Sequence, residues 1–209
     1  NGISQTGVGC VASVEAYEKN LIKKHEYTKP EKEDDRVNNI IKLNAQTGPV
    51  LLAYKNNNEI SKLLNKVKNE NPTYNVIAHD NSNHKIWIVE DNRRIREILD
   101  EINSMDSLFI ADGHHRSAAA LRVKKELSKK NPNHIGDENY NYFLAVAFPH
   151  SEMNILDYNR IIKGLNGHTT DTLLSNIEKK FSVKKHEIEF KPKNINTFGM
   201  YLDNYWYEL

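Results

Sequence analysis

A cluster of polar and charged side chains, Asp112-Gly113-His114-His115-Arg116, joins two regular stretches of the sequence. The preceding "SLFIAD" predicts a short strand, and the following "SAAALRVKKELSKK" predicts a helix. The first amides of a helix lack backbone partners, and together with the helix dipole they attract anions. A glycine lets a ligand approach closely, histidines can donate hydrogen bonds, and a guanidinium suits a phosphate. The cluster therefore predicts a phosphate-binding loop.

Asp112 does not by itself fit a phosphate-binding loop, because a carboxylate repels a bare anion. It fits if Mg²⁺ accompanies the phosphates, or if the carboxylate orients a histidine. We therefore expect a nucleotide, ATP or ADP, bound with Mg²⁺ at Asp112. The alternative is purely structural: Asp112 caps the helix, one histidine packs in the interior and Arg116 pairs with a nearby acid.

Two other interpretations of the cluster are weaker. Neither the Walker spacing GxxxxGK[ST] nor the pattern GxGxxG occurs in the sequence. A zinc site of Asp112, His114 and His115 is disfavoured because neighbouring residues point in different directions and seldom converge on one tetrahedral ion.

A second pair of residues with chemical potential is His25-Glu26, within "KKHEYT". A carboxylate at the end of a regular element, where the backbone is free to shape a pocket, suits a general base. The alternative is that the pair is solvated surface.

The elements around this pair are predicted to be two helices. "SVEAYEKNLIKKHE", from Ser13 to Glu26, has an apolar stripe of helical spacing, and Ser13 can cap it. "TKPEKEDDRVNNIIKL" predicts a second helix, with Pro30 in its first turn and a capping box between Thr28 and Glu31. His25 and Glu26 are thus expected at the joint between two helices.

The rest of the chain predicts a mixture of helices and strands. "TGPVLLAYK" and "YFLAVAFP" predict buried strands, "EISKLLNKVKN" and "NRRIREILDEINSM" predict amphipathic helices, and "YNVIAHDNSNHKIWIVED" predicts a β-hairpin. Further on, "ILDYNRIIKGLNG" is ambiguous, "TDTLLSNIEKKF" predicts a helix capped by Thr170, "SVKKHEIEF" a strand, and "FGMYLDNYWYEL" a hairpin turning at Asp203-Asn204. Because no clean βαβ rhythm appears, the expected fold class is α+β.

Composition excludes several classes of protein. The chain has 209 residues, 38% of them hydrophobic, and a formal net charge of +1, which predicts a globular protein without a basic field for nucleic acid. The single cysteine, Cys10, excludes an intrachain disulfide and a multi-cysteine zinc site, so the cytoplasm is the expected compartment. No apolar run approaches the ~20 residues of a membrane helix. Because the chain begins with Asn1 rather than Met, we expect a piece of a longer protein.

The stretch "FIADGHHRSAAAL" resembles the signature of a broad family of domains of unknown function that includes the ADP-dependent free serine kinase of archaea. "YEKNLIKKHEYTKPEKEDDR", "NAQTGPVLLAY", "DYNRIIKGLNG" and "FGMYLDNYWYEL" resemble its bacterial branch, so the resemblance covers nearly the whole chain. It implies the central portion of a larger protein. It also implies a ParB/sulfiredoxin-like core at 1–150, with a hairpin and helices inserted at about 55–106, and a smaller, truncated α/β segment at 151–209.

The same resemblance implies a function. Glu26 takes the place of the general base that removes a hydroxyl proton, and His25 orients it or touches a phosphate. Asp112–Arg116 takes the place of the phosphate-binding loop. The expected activity is a nucleotide-dependent phosphotransferase with Mg²⁺, whose partners are ATP or ADP and a small hydroxyl substrate such as free L-serine. The alternative is a non-catalytic, nucleotide-binding ParB-like regulator or scaffold module.

Overall fold

The computed structural model of the chain describes residues 2–209, which divide after Ile155 into two compact units. The strands of the larger unit are β1 (Val8–Ser13), β2 (Ile22–Lys23), β3 (Val50–Tyr54), β4 (Tyr74–Ile77), β5 (Asn83–Ile86), β6 (Leu108–Asp112) and β7 (Tyr142–Pro149). Its helices are α1 (Val14–Glu18), α2 (Pro30–Leu43), α3 (Asn58–Lys68), α4 (Asn92–Asn103) and α5 (His114–Lys130), with short 3₁₀ helices at Asn139–Asn141 and His150–Glu152. The smaller unit contains α6 (Thr170–Glu178), β8 (Lys184–His186), β9 (Gly199–Leu202) and β10 (Tyr205–Glu208).

Five strands of the larger unit form one mixed sheet in the order β1-β7-β3-β6-β2. Strand β7 is antiparallel to β1 and parallel to β3, whereas β6 is antiparallel to β3 and parallel to β2. The mixed sheet, the two smaller sheets and the helices between strands confirm the predicted α+β class. Because β2 and β6 are parallel, the residues that follow each of them leave the sheet at the same edge.

The main core lies on one face of this sheet. Along β7 the side chains alternate, with Phe143, Ala145 and Ala147 buried and the intervening residues partly exposed. Helix α5 contributes Ala118 and Ala120 to the same cluster, and these small side chains let the helix lie close to the strands. The sheet therefore fixes where α5 begins.

Helix α2 packs on the opposite side of α5. Val37 of α2 is buried with Ala119 and Val123 of α5 in a second apolar cluster. Arg122 of α5 also bonds Asp34 of α2 at 2.6 Å. This packing places the first turns of α2 beside the first turns of α5.

The segment before α2 differs from its prediction. The helix expected from Ser13 to Glu26 ends at Glu18, although Ser13 caps it as predicted, accepting hydrogen bonds from the amides of the first turn. Asn20 has a positive φ of 59°, which closes the helix, and Ile22–Lys23 then join the sheet as β2. Glu26 therefore follows a strand rather than a helix.

The predicted caps of two helices are also wrong. At the start of α2 the side chain of Thr28 donates to Glu33 rather than forming a box with Glu31, whereas Pro30 does occupy the first turn. In the smaller unit α6 is capped by Thr169, not Thr170, through a reciprocal box with Thr172. The N-cap of α2 is Lys29, one residue after the predicted Thr28, and the N-cap of α6 is one residue before the predicted Thr170.

The region predicted as an insertion contains the expected elements. Helices α3 and α4 contact each other, and β4 and β5 pair in an antiparallel, two-stranded sheet of their own. Both strands of this hairpin are exposed along their whole length. The main sheet forms without them.

The smaller unit is built around a three-stranded sheet in the order β8-β10-β9. The predicted hairpin is present, with Asp203 and Asn204 both at positive φ in its turn. The strand predicted over Ser182–Phe190 shortens to Lys184–His186. Residues 155–167, ambiguous in sequence, adopt neither helix nor strand.

Two sequence predictions concern larger features. The structure divides the chain after Ile155, and the assignment of a ParB/sulfiredoxin-like domain to 1–150 stays a prediction. Within residues 2–209, every helix is too short or too polar to cross a membrane.

Candidate functional site

The site begins where β6 turns into α5. Gly113 at this turn has a φ of 100°, a conformation that side-chain-bearing residues rarely adopt. A Cβ at this position would lie 3.2 Å from the Cα of Val50 on β3. Glycine is therefore required both by the backbone conformation and by the close approach of the neighbouring strand. The first helical bond of α5 runs from the Ser117 amide to the Gly113 carbonyl, so the amides before Ser117 have no partner within the helix.

His114, the first residue of α5, has only 4% of its surface exposed. Its Nε2 accepts a hydrogen bond from the amide of His25 at 3.4 Å, and the two rings pack edge to face at 4.4 Å. The Nδ1 atom lies 3.6 Å from Oε2 of Glu26. Burial and the neighbouring His25 lower the pKa of His114, against the opposing effects of Glu26 and Asp112. The neutral ring thus carries its proton on Nδ1, facing Glu26.

His115, the next residue of α5, makes the corresponding contact with an amide four residues after that of His25. Its Nε2 accepts a hydrogen bond from the amide of Lys29 at 3.2 Å. The sequence hypothesis assigned both histidines to phosphate binding as donors. In the structure the Nε2 atom of each is instead an acceptor for the backbone of the segment that carries Glu26.

The contacts of Arg116 agree in part with the purely structural alternative, in which Arg116 pairs with a nearby acid and Asp112 caps α5. Its Nη2 bonds Oδ2 of Asp112 at 2.7 Å, and its Nη1 donates to the carbonyl of Pro49. The pair closes the turn between β6 and α5, since Asp112 and Arg116 are four residues apart. Asp112 makes no capping bond to α5, and its side chain remains 69% exposed.

These residues surround one cavity of about 180 Å³. Glu26 lines it from the segment after β2, and the whole run Asp112–Arg116 lines it from the β6–α5 turn. The sequence predicted both groups separately, and the parallel pairing of β2 and β6 explains why they meet. His25 contacts the ring of His114 and stands outside the lining set.

Two further residues of the cavity, Lys32 and Arg36, were missed by the sequence analysis. They are four residues apart on α2 and so project from one face of that helix. Their spacing was the available clue, but it is common on solvated helices. Together with Arg116 they give the cavity three cationic side chains against the carboxylates of Glu26 and Asp112.

Comparison with known protein families assigns the chain to one family. The family DUF1015, described as a protein of unknown function, matches residues 1–209. The chain belongs to the DUF1015 family. Searches of curated proteins and of solved structures gave no match. The predicted membership of a family of domains of unknown function is confirmed, and the relationship to the serine kinase stays a prediction.

The cavity of this DUF1015 protein fits Mg²⁺ only together with another ligand. Within residues 2–209, no three His, Cys, Asp or Glu side chains converge to hold a metal ion. Asp112 offers one exposed carboxylate, whose Oδ2 already bonds Arg116. Mg²⁺ commonly binds one or two carboxylates, water and substrate phosphates. The residues present fit that arrangement, with Asp112 as the protein ligand.

Proposed function

We propose that this DUF1015 protein is a nucleotide-dependent phosphotransferase acting on a small hydroxyl substrate. The observation that carries the proposal is the shared cavity of Glu26 and Asp112–Arg116. A proton acceptor and an anion-binding turn in one cavity are the two elements that phosphoryl transfer to an alcohol needs. The resemblance to the serine kinase family adds free L-serine as an acceptor and a ParB/sulfiredoxin-like core as the scaffold.

The phosphates would bind at the cationic side of the cavity. The amides at the start of α5 that lack a helical partner and the guanidinium of Arg116 are the donor types that bind phosphates. Lys32 and Arg36 face them from α2 and add positive charge. Mg²⁺ at Asp112 would neutralise charge on the transferred group.

The size of the cavity limits what it can enclose. A volume of about 180 Å³ is below the ~300–1,000 Å³ of typical ligand pockets. It suits terminal phosphates and a small acceptor, so the nucleoside would lie outside the lining residues. The rate enhancement would then come mainly from positioning and charge, as is general for phosphoryl transfer.

The chemical step follows from the position of Glu26. The acceptor hydroxyl oxygen forms a bond to the terminal phosphorus as the bond from that phosphorus to the bridging oxygen breaks. The hydroxyl proton moves to the carboxylate of Glu26, and the shortened nucleotide leaves with the bridging oxygen. The Nδ1 atom of His114 lies 3.6 Å from Oε2 of this carboxylate, so an imidazole of α5 stands beside the proton acceptor.

One observation favours a second function, a nucleotide-binding module without catalysis. Arg116 already bonds Asp112 and the Pro49 carbonyl, so part of its fork of donors is used within the protein. An anion site organised in this way can bind phosphates without turnover.

The test is a phosphoryl-transfer assay with labelled ATP or ADP, Mg²⁺ and a panel of hydroxy amino acids, run beside calorimetric nucleotide binding. We expect turnover by the wild type and a loss of about 10²-fold or more in Glu26→Gln, with nucleotide affinity retained. Glu31→Gln, an exposed carboxylate outside the cavity, is the control. Full activity in Glu26→Gln removes Glu26 as the base. Binding without turnover supports the second function, and no binding excludes both.

A further inference from the structure

The two histidines of the turn make the same unusual contact. Each directs its Nε2 atom at a backbone amide of the segment between β2 and α2, His114 at His25 and His115 at Lys29. We call the two imidazoles and the two amides the histidine clasp. The donors are backbone N–H groups, so the direction of both hydrogen bonds is fixed: the rings accept.

The acceptor role of Nε2 indicates the tautomer of both imidazole rings. A nitrogen that accepts a hydrogen bond carries no proton, so the two contacts place the ring proton on Nδ1 in each imidazole. Neither Nε2 is then available to donate to a phosphate. For His114 the remaining Nδ1–H faces Glu26, 3.6 Å from Oε2.

Besides the clasp, the segment is held by local contacts at the start of α2, where Thr28 donates to Glu33 and the Lys29 carbonyl accepts from the amides of Lys32 and Glu33. Residues 24–29 adopt neither helix nor strand, and Glu26 and Tyr27 are exposed. Glu26 lies between the two bonded amides, one residue after His25 and three before Lys29. Two side chains that start α5, 86 to 89 residues away in the sequence, thus bind the backbone on both sides of Glu26.

We infer that His114 and His115 are positioning residues that fix Glu26 over the cavity by binding the backbone on both sides of it. The inference rests on the proposed role of Glu26 as the base. It gives the two histidines a task different from phosphate binding, which falls to the amides of α5, Arg116 and the α2 cations. Loss of the clasp should lower kcat and leave the KM for nucleotide nearly unchanged, since no phosphate contact is removed.

The first experiment does not depend on activity. In the ¹⁵N-labelled protein, imidazole nitrogen shifts report the tautomer, and amide hydrogen exchange reports the bonds of His25 and Lys29. We expect Nδ1–H in both rings. Exchange should rise roughly tenfold at His25 in His114→Leu and at Lys29 in His115→Leu. Glutamine places an amide oxygen near the Nε2 position, so His114→Gln and His115→Gln should restore protection. His84→Leu, in the exposed hairpin, is the control.

A proton on either Nε2, or unchanged exchange in both leucine variants, overturns the clasp. His114 is buried, and its leucine variant can fail to fold for reasons of packing. His115 is only partly buried, so His115→Leu with His115→Gln keeps the test decisive.

The second experiment links the clasp to catalysis. We expect His115→Leu to lower kcat about tenfold with the KM for nucleotide unchanged, and His115→Gln to recover most of the loss. A raised KM with unchanged kcat would assign His115 to phosphate binding and overturn the inference. A wild type that never turns over removes the proposed function, which the tautomer and exchange results do not address. An active wild type together with unchanged amide exchange in both leucine variants would contradict the clasp and leave the proposed function standing.

Discussion

The segment Leu108–Asn141 and the hairpin Tyr74–Ile86 are both built from a strand and a polar turn that the sequence predicts. The first contains β6, the turn at Gly113 and α5, and it carries most of the cavity lining and part of both apolar clusters. The second pairs only with itself and is exposed on both strands. The two segments have similar sequence patterns, but only the first is buried against other elements. The difference arises because the rest of the chain determines which segments are buried.

The largest difference between the two regions should appear in packing. Ile110 on β6 is 1% exposed, whereas Ile77 on β4 is 71% exposed. We expect Ile110→Ala to lower the free energy of unfolding by about 2–5 kcal/mol, because the side chain leaves a cavity in the core. Ile77→Ala should change it by less than about 0.5 kcal/mol. Urea unfolding followed by far-UV circular dichroism measures both, since the two tryptophans lie in the hairpin region and the smaller unit. Equal losses in the two variants would contradict the comparison.

Two glycine turns should show a smaller difference in unfolding free energy, which again depends on contact with the main sheet. Gly113 and Gly136 have nearly equal positive φ, 100° and 103°. A Cβ at Gly113 would lie 3.2 Å from the Cα of Val50, whereas a Cβ at Gly136 would meet nothing within 4 Å. Gly136→Ala should therefore cost only the conformational penalty of about 1–2 kcal/mol. Gly113→Ala should cost about 1–3 kcal/mol more, because β3 must also shift. The difference between the two unfolding free energies isolates the contact with β3, and a difference of zero would show that backbone conformation alone requires glycine.

The fold was predictable where apolar residues are concentrated. Strands β3, β6 and β7 follow from continuous apolar runs, and helix α4 from its spacing. Strand β1 was missed because "VGCVAS" is short in large apolar residues and contains a glycine. Strand β2 was missed because Ile22 also fits the helical spacing of the residues before it. Both strands lie at the edges of the sheet, where pairing with a distant strand rather than local pattern decides the structure.

The site was predictable only in its local part. The residues of Asp112–Arg116 are contiguous in the sequence, so their composition alone predicts an anion-binding turn. Lys32 and Arg36 look like ordinary solvated charges until α2 packs against α5. The partners of His114 and His115 are backbone amides, which nearly every residue type has, so the sequence does not indicate them. Tertiary packing therefore supplies the information that the pattern lacks.

The smallest predicted effect concerns two carboxylates that close turns in the two regions. Burial alone would raise the pKa of Glu138, but hydrogen bonds from the amides of Ile135 and Gly136 and from Asn141 bring that pKa down to about 2. In the hairpin, the hydroxyl and amide of Ser82 lower the pKa of Asp80.

For both carboxylates the folded pKa lies below the unfolded one, so between these two pKa values the folded protein binds fewer protons than the unfolded chain. The stabilisation is present above the unfolded pKa and is lost as the pH drops, for Glu138 from 4.5 to about 2. Glu138→Gln should flatten the dependence of the unfolding free energy on pH in that window. Asp80→Asn should flatten it less, because melting of the isolated hairpin exposes little of the core. Chemical unfolding at a series of pH values measures both slopes. If Asp80→Asn removes more of the slope than Glu138→Gln, the hairpin is coupled to the core more tightly than its exposure indicates.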